Sequence, residues 1–188
     1  MIRFLVTSVL NQNVSTSSWL SRSLVNRAVT SFFLACLSVG GLMSLPEAAC
    51  AGGYTISVDG QEVLDSETGL IWRRCIEGMR WNGSACAGTP LYSMWHDALH
   101  HAESERQKTG IAWRLPNVKE LASLVDTEAA DMAIDAAVFP ATPHDHFWCS
   151  TPYSADAFYA WVVHFYFGSV YYTYLEDNGA IRLVRDQP

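Results

Sequence analysis

The chain has 188 residues, 49% hydrophobic and 16% charged, with a formal net charge of −7. From Cys50 onward 9 Lys+Arg stand against 18 Asp+Glu. That excess excludes nucleic acid and disfavours polyanionic partners, because the summed repulsion opposes their approach. A basic patch around Arg73, Arg74 and Arg80 is the one local exception the sequence allows.

Arg22 and Arg27 precede an apolar run from Ala28 to Leu45, followed by Pro46 and small residues. Positive, apolar and small regions in that order read as a secretory signal over residues 1–49, with cleavage near 49–51, after Ala49 or Ala51. An uncleaved membrane anchor is the competing reading, since 18 apolar residues just suffice for a span. A lipoprotein site at Cys50 competes too, against the Glu47 that stands where an apolar residue is expected. The expected product is an exported protein, periplasmic, cell-surface or extracellular, touching a membrane only through an uncleaved signal. Residues 50–188 suit one domain with its own core.

Tyr54 to Val58 alternates as a strand and turns at Asp59-Gly60. Glu62 to Asp65 leads through a second turn into a strand ending at Trp72. Ser93 is placed to cap a helix from Met94 to about Gln107, with Trp95, Ala98, Leu99 and Ala102 on one face and Gly110 beyond its end. In Trp113-Arg114-Leu115-Pro116, Pro116 holds the chain extended. Asn117 and Glu120 then form a capping box for a second helix carrying Leu121, Leu124 and Val125. Arg114, between two apolar residues, needs a partner, and its expected role with Glu120 is to brace a loop. After a loop from Glu128 to Asp145, strands are expected at 147–150, 159–167, 170–175 and 180–185, with Asn178-Gly179 as the strongest turn signal. The order predicts an α+β domain: two helices packed on antiparallel sheets, a C-terminal meander, and both chain ends in one sheet.

Cys36 lies in the apolar run, leaving Cys50, Cys75, Cys86 and Cys149. Four cysteines in an exported chain read as two disulfides. Cys75 and Cys86 bracket a Gly/Asn-rich loop that closes easily, so the first choice is 75–86 with 50–149 remaining.

Several segments taken in order resemble one family: Asp65-Ser66-Glu67-Thr68-Gly69-Leu70-Ile71-Trp72, Trp81-Asn82-Gly83-Ser84, Trp113 to Leu121, Phe139-Pro140, Phe147 to Tyr153, Ala160-Trp161, Gly168-Ser169-Val170 and Arg182-Leu183-Val184-Arg185. The chain is similar to the Legionella collagen-like protein C-terminal domain family. The resemblance implies a C-type-lectin-like fold, related in architecture to the formylglycine-generating enzyme. For the best-known members it also implies adhesion through sulfated polysaccharides by a trimeric domain, so an oligomer is compatible with it. This chain departs from that pattern in its acidity and in having no collagen-like repeat. Cys149 stands where the family more often shows serine, which supports pairing with Cys50.

Trp161, Tyr166, Tyr171, Tyr172 and Tyr174 are the candidate ligand-binding residues. Strand alternation sends one set of rings into the core and leaves the other exposed, where a flat apolar face with a polar tip can stack on a sugar. His96 and His100, four apart on a helix, and His144-Asp145-His146 could hold a metal, yet solvated histidines are commoner, and no metal or cofactor is expected. Calcium would need an oxygen cluster, and Leu115-Pro116-Asn117 lacks the flanking acid of a lectin tripeptide. No Gly-x-Ser-x-Gly elbow, phosphate loop or paired-carboxylate signature is present, and copper-thiol chemistry needs two neighbouring free cysteines. The expectation is a non-enzymatic binding module for a polysaccharide or surface protein. The alternative is a structural or assembly domain of the envelope; a redox enzyme is the remote third.

Overall fold

The structure, a computed structural model, describes residues 50–51, 53–129 and 131–188. The expected signal segment lies outside the described residues. The elements in chain order are β1 (Cys50–Ala51), β2 (Tyr54–Ile56), β3 (Glu62–Asp65), β4 (Leu70–Arg73), β5 (Met79–Trp81), β6 (Cys86–Gly88), β7 (Tyr92–Ser93), α1 (Trp95–Thr109), α2 (Val118–Ala122), β8 (His146–Pro152), β9 (Tyr159–His164), β10 (Ser169–Tyr174), β11 (Gly179–Ala180) and β12 (Val184–Asp186). This is an α+β arrangement.

One sheet runs β1-β2-β3-β4-β12, so the N-terminal strands and the last strand do share a sheet. The other runs β10-β9-β8-β11-β7, and β5-β6 form a separate hairpin. The meander expectation holds for β8-β9-β10 and fails after it. Asn178-Gly179 does not return the chain beside β10; β11 pairs parallel with β8 and antiparallel with β7, and β12 pairs with β4. A short-range turn signal cannot choose the next partner. Here Ala180, Ile181, Leu183 and Val184 are all fully buried, and reaching both cores requires crossing the second sheet.

Two apolar clusters flank that second sheet. One joins Trp72, Val63 and Val184 of the first sheet to Leu121 and Leu124 near α2 and to Phe139, Phe147, Val163 and Phe165. The other packs Ala98 and Ala102 of α1 against Trp113, Trp148, Val162, Ile181 and Leu183. Burying side chains of this size contributes about 1.5–3 kcal/mol each, which fixes the strand faces. Alternation within β9 therefore sends Val162 to one cluster and Val163 to the other.

The helix ends show local and tertiary forces separately. Asn117 accepts from the Lys119 and Glu120 backbone N–H groups while Glu120 accepts from the Asn117 N–H, the expected capping box. Arg114 donates to both Glu120 carboxylate oxygens at 2.8 and 2.9 Å and to Asp186 at 3.0 Å, and its backbone bridges Val184. It braces α2 against β12. At α1 the cap expectation fails: Ser93 belongs to β7, and Met94 occupies the cap position with no side-chain bond. Pairing of Ser93 with Gly179, and the Trp148 Nε1 donation to its carbonyl at 2.8 Å, hold it in the sheet instead. Gly110 closes α1 in the left-handed region, at φ 69°, which its lack of a Cβ makes easy.

Cys75 and Cys86 are disulfide-bonded. The second expected bridge is not formed, because Cys149 is a free, buried thiol. Its strand packs it into the first cluster beside α2, whereas Cys50 lies on the outermost strand of the other sheet. Burial first, and then the Glu120 charge, push the Cys149 thiol up, so it stays protonated and is a poor nucleophile or metal ligand.

Candidate functional site

The β9–β10 hairpin sets the phase of its aromatic residues through one bond just beyond its end. Leu175 N–H donates to the Phe158 carbonyl at 2.9 Å. Counting back along the antiparallel ladder makes Tyr174↔Tyr159 and Tyr172↔Trp161 non-hydrogen-bonded pairs, whose side chains lie closest together. Tyr153, just after β8, joins them. Tyr153 and Tyr172 stack with centroids 4.0 Å apart, Tyr159 and Tyr174 lie at 4.3 Å, and Tyr153 meets Trp161 edge-on at 5.6 Å. The result is a continuous strip of five rings.

A Tyr153–Tyr172 hydrogen bond pushes the Tyr153 phenol up, and a Tyr159–Tyr174 bond, ahead of burial, pushes Tyr159 up to about 12. Both raised phenols, Tyr153 and Tyr159, are therefore neutral at physiological pH and able to donate. Tyr172 and Tyr174 remain 44% and 55% exposed, so ring area faces solvent where a ligand can cover it. On the next rung, Phe158 and Leu175 border a cavity of about 460 Å³ whose other walls include Met94, His96, Asp97 and Glu176. The cavity lies on the α1 side of the sheet, where Leu175 shares a face with Tyr171, at the end of the hairpin that carries Tyr159 and Tyr174.

The five rings singled out from sequence do not all meet. Trp161, Tyr172 and Tyr174 share the strip. Tyr171 points to the opposite face, half-buried near His146 and His164, with centroids 6.3 and 6.5 Å away. Tyr166 sits in the turn between β9 and β10, stacked on His144 at 4.5 Å. The candidate set drawn from the sequence left out Tyr153 and Tyr159, which lie on the strip, and Phe158, which borders the cavity just before β9. Alternation could have found Tyr159, two before Trp161. Tyr153 needs the irregular β8–β9 register between Trp148 and Pro152, which has no local signal.

The histidines separate likewise. His146 Nδ1 lies 3.2 Å from Asp145, while His146 Nε2 and His164 Nδ1 are buried with no hydrogen-bond partner. Burial holds His164 below the usual imidazole range, Asp145 opposes that, and His146 and His144 add to it. Among the described residues no three His, Cys, Asp or Glu side chains converge as a metal cage.

Two of the three arginines expected as a basic patch are engaged, and the third is not. Arg74 is buried, donates to the Val138 and Ala137 carbonyls, and lies over Trp81 at 3.8 Å. Arg73 donates to Glu105 at 3.1 Å and covers Trp113 at 4.6 Å. Arg80 is exposed and makes no ion pair among the described residues. The remaining sequence-marked residues are structural in placement: Trp72 and Trp113 are core, and Pro116 is buried, its carbonyl accepting from Ser150 N–H at 2.7 Å.

No curated protein matches the chain. Over residues 61–185, from β3 through β12 and including the ring strip, it matches the Lcl C-terminal domain. The protein therefore belongs to the Lcl C-terminal domain family, the Legionella collagen-like protein C-terminal domain family that its sequence resembles.

Proposed function

We propose that this protein is an exported, non-enzymatic binding module that recognises a polysaccharide through the Tyr153–Trp161–Tyr172–Tyr159–Tyr174 strip and the adjoining cavity. The strip carries the reading. It offers contiguous flat apolar area with phenol hydroxyls at its edges, the combination that stacks on sugar rings while bonding their hydroxyls. A small domain stapled by Cys75–Cys86 suits an oxidising compartment, which supports export. Family membership and the joining of both chain ends in one sheet support a C-type-lectin-like fold.

The test is a glycan array probed with the wild-type protein and with Tyr172→Ala/Tyr174→Ala. The reading expects a defined set of retained sugars that the double variant loses. Failure to retain any sugar, together with specific co-purification of an envelope protein, would sink it.

A second reading, an assembly domain, has one observation in its favour. The ladder phase that pairs Leu175 with Phe158 turns the backbone groups of Val170 and Tyr172 outward along β10, an edge strand with no charge and no proline. Such an edge accepts another strand readily. Loss of self-association or of protein capture on placing lysine at Val170 would favour that role.

A further inference from the structure

A second cleft lies away from the ring strip, between β4, the β5–β6 hairpin and α1. Its larger chamber, about 400 Å³, is lined by Arg73, Glu77, Met79, Arg80, His101 and Glu105. A smaller chamber of about 170 Å³ shares Arg73 and Arg80 and adds Asp59, Glu62 and Trp113. The two arginines form the wall common to both.

The walls are built to stay put. The Cys75–Cys86 bond ties the hairpin that carries Arg80 back to the end of β4. Gly78, at φ 84°, lets the backbone approach so closely that a Cβ there would stand 2.2 Å from the Thr89 carbonyl oxygen. On the opposite side α1 places His101 and Glu105 four apart, on one face. Below, Arg182 donates to the Arg73 and Arg74 carbonyls at 2.9 and 2.6 Å, clamping the backbone from which Arg73 projects.

The charges cancel within this frame. Glu77 and Glu105 are only 5% and 8% exposed. Glu77 faces His101 at 2.7 Å, Glu105 takes Arg73 at 3.1 Å and Lys108 at 3.3 Å, and Glu62 takes Arg185 at 2.6 Å. Arg73, Arg80, Lys108 and Arg185 stand against Asp59, Glu62, Glu77 and Glu105. With these neighbours included, the formal charges around the cleft balance, so no excess of one sign singles out an anion or a cation. Unspent hydrogen-bonding capacity does remain. Arg80 is unengaged, Arg73 has committed Nη2 but not Nη1, and Glu77 Oε1 lies 3.9 Å from the nearest cationic nitrogen, too far for a hydrogen bond.

Donors and an acceptor set side by side match the hydroxyl group, which donates once and accepts twice. The chamber volume falls in the range of small-molecule sites. We infer that this cleft binds a neutral polyhydroxyl ligand of monosaccharide size, its hydroxyls donating to Glu77 and accepting from Arg73 and Arg80. The inference rests on the glycan-binding reading and gives it a second contact zone, one that selects by hydroxyl pattern rather than by ring area.

The experiment is a side-chain NMR titration of the protein with glucose, galactose, mannose, myo-inositol and glucuronate, following Arg80 and His101. At least one neutral compound is expected to shift both residues, and Arg80→Gln is expected to weaken that binding about tenfold, with Arg80→Lys recovering part of it. Thermal unfolding of both variants serves as the control for folding. Tighter binding of glucuronate than of every neutral compound would overturn the inference. So would unchanged affinity in Arg80→Gln, or no shift with any compound. An oligosaccharide that moves Trp161 and Tyr174 but never Arg80 overturns the cleft and leaves the ring strip standing; if neither region responds, both readings fall.

Discussion

The ring strip and the charged cleft solve recognition in opposite ways. The strip is assembled from alternate residues of one hairpin plus Tyr153, and its rings touch one another in stacked and edge-on contacts. Its usable quantity is apolar area, which tolerates sliding and many ligand geometries. The cleft draws Arg73, Arg80, His101 and Glu105 from three elements, and fixes them with ion pairs, a disulfide and a buried arginine. Its usable quantity is a set of oriented donors and acceptors, which tolerates little. Perturbing the scaffold should therefore damage the cleft, while perturbing exposed side chains should damage the strip.

The largest effect falls on the scaffold. Arg182 is fully buried among Phe139 and Phe147, where burial pulls it down to about 9, still charged at neutral pH. Arg182→Leu leaves the Arg73 and Arg74 carbonyls and the Thr142 hydroxyl without their donor. Two or three stranded buried groups should cost about 3 kcal/mol or more, read as a lower urea midpoint. Reduction of Cys75–Cys86, which closes a separation of 11 residues, should cost roughly 3 kcal/mol or somewhat less and loosen Arg80 first, as seen in hydrogen exchange across β5 and β6. Equal loosening of β9 and β10 would contradict the separation of the two regions.

Asn117→Ala removes the acceptor for two backbone N–H groups at the start of α2 and should cost about 1 kcal/mol, with neither candidate site altered. A pH series sharpens the comparison from the other side. The His164 pKa is held below its unfolded value, so the folded state binds fewer protons than the unfolded chain just below pH about 6.5. Its contribution is intact above that pH and is lost as pH falls toward the depressed folded pKa. Protonation would add positive charge beside His146 and His144, with Asp145 the offsetting carboxylate. Thermal unfolding at pH 7.5 and 5.5 should show the loss, and His164→Phe should reduce it.

How much of this could be read in advance depends on how local each determinant is. The capping box at Asn117 and Glu120 was fully legible, because every atom in it lies within four residues. The second-sheet alternation was half legible: periodicity separates Tyr171 from Tyr172, but only the buried partners decide which faces solvent. The cleft was not legible. Glu77 and Glu105 carry no motif, and Glu105 meets Arg73 only after α1 packs beside β4. The Cys50–Cys149 expectation failed for a related reason, since cysteine counting ignores that a β8 side chain points into an apolar cluster. Asn178-Gly179 misled: the turn falls at Leu175-Glu176, Gly179 opens β11, and the partner of β11 is chosen by burial of Ile181 and Leu183.

The most direct test of the ring strip is to follow ring signals of Trp161, Tyr172 and Tyr174 by NMR while titrating an oligosaccharide retained by the protein on a glycan array. Sugar stacking predicts saturable shifts at these three residues and at least about tenfold weaker binding in Tyr172→Ala/Tyr174→Ala. Binding that leaves the three signals in place, or that survives the double variant undiminished, would contradict it.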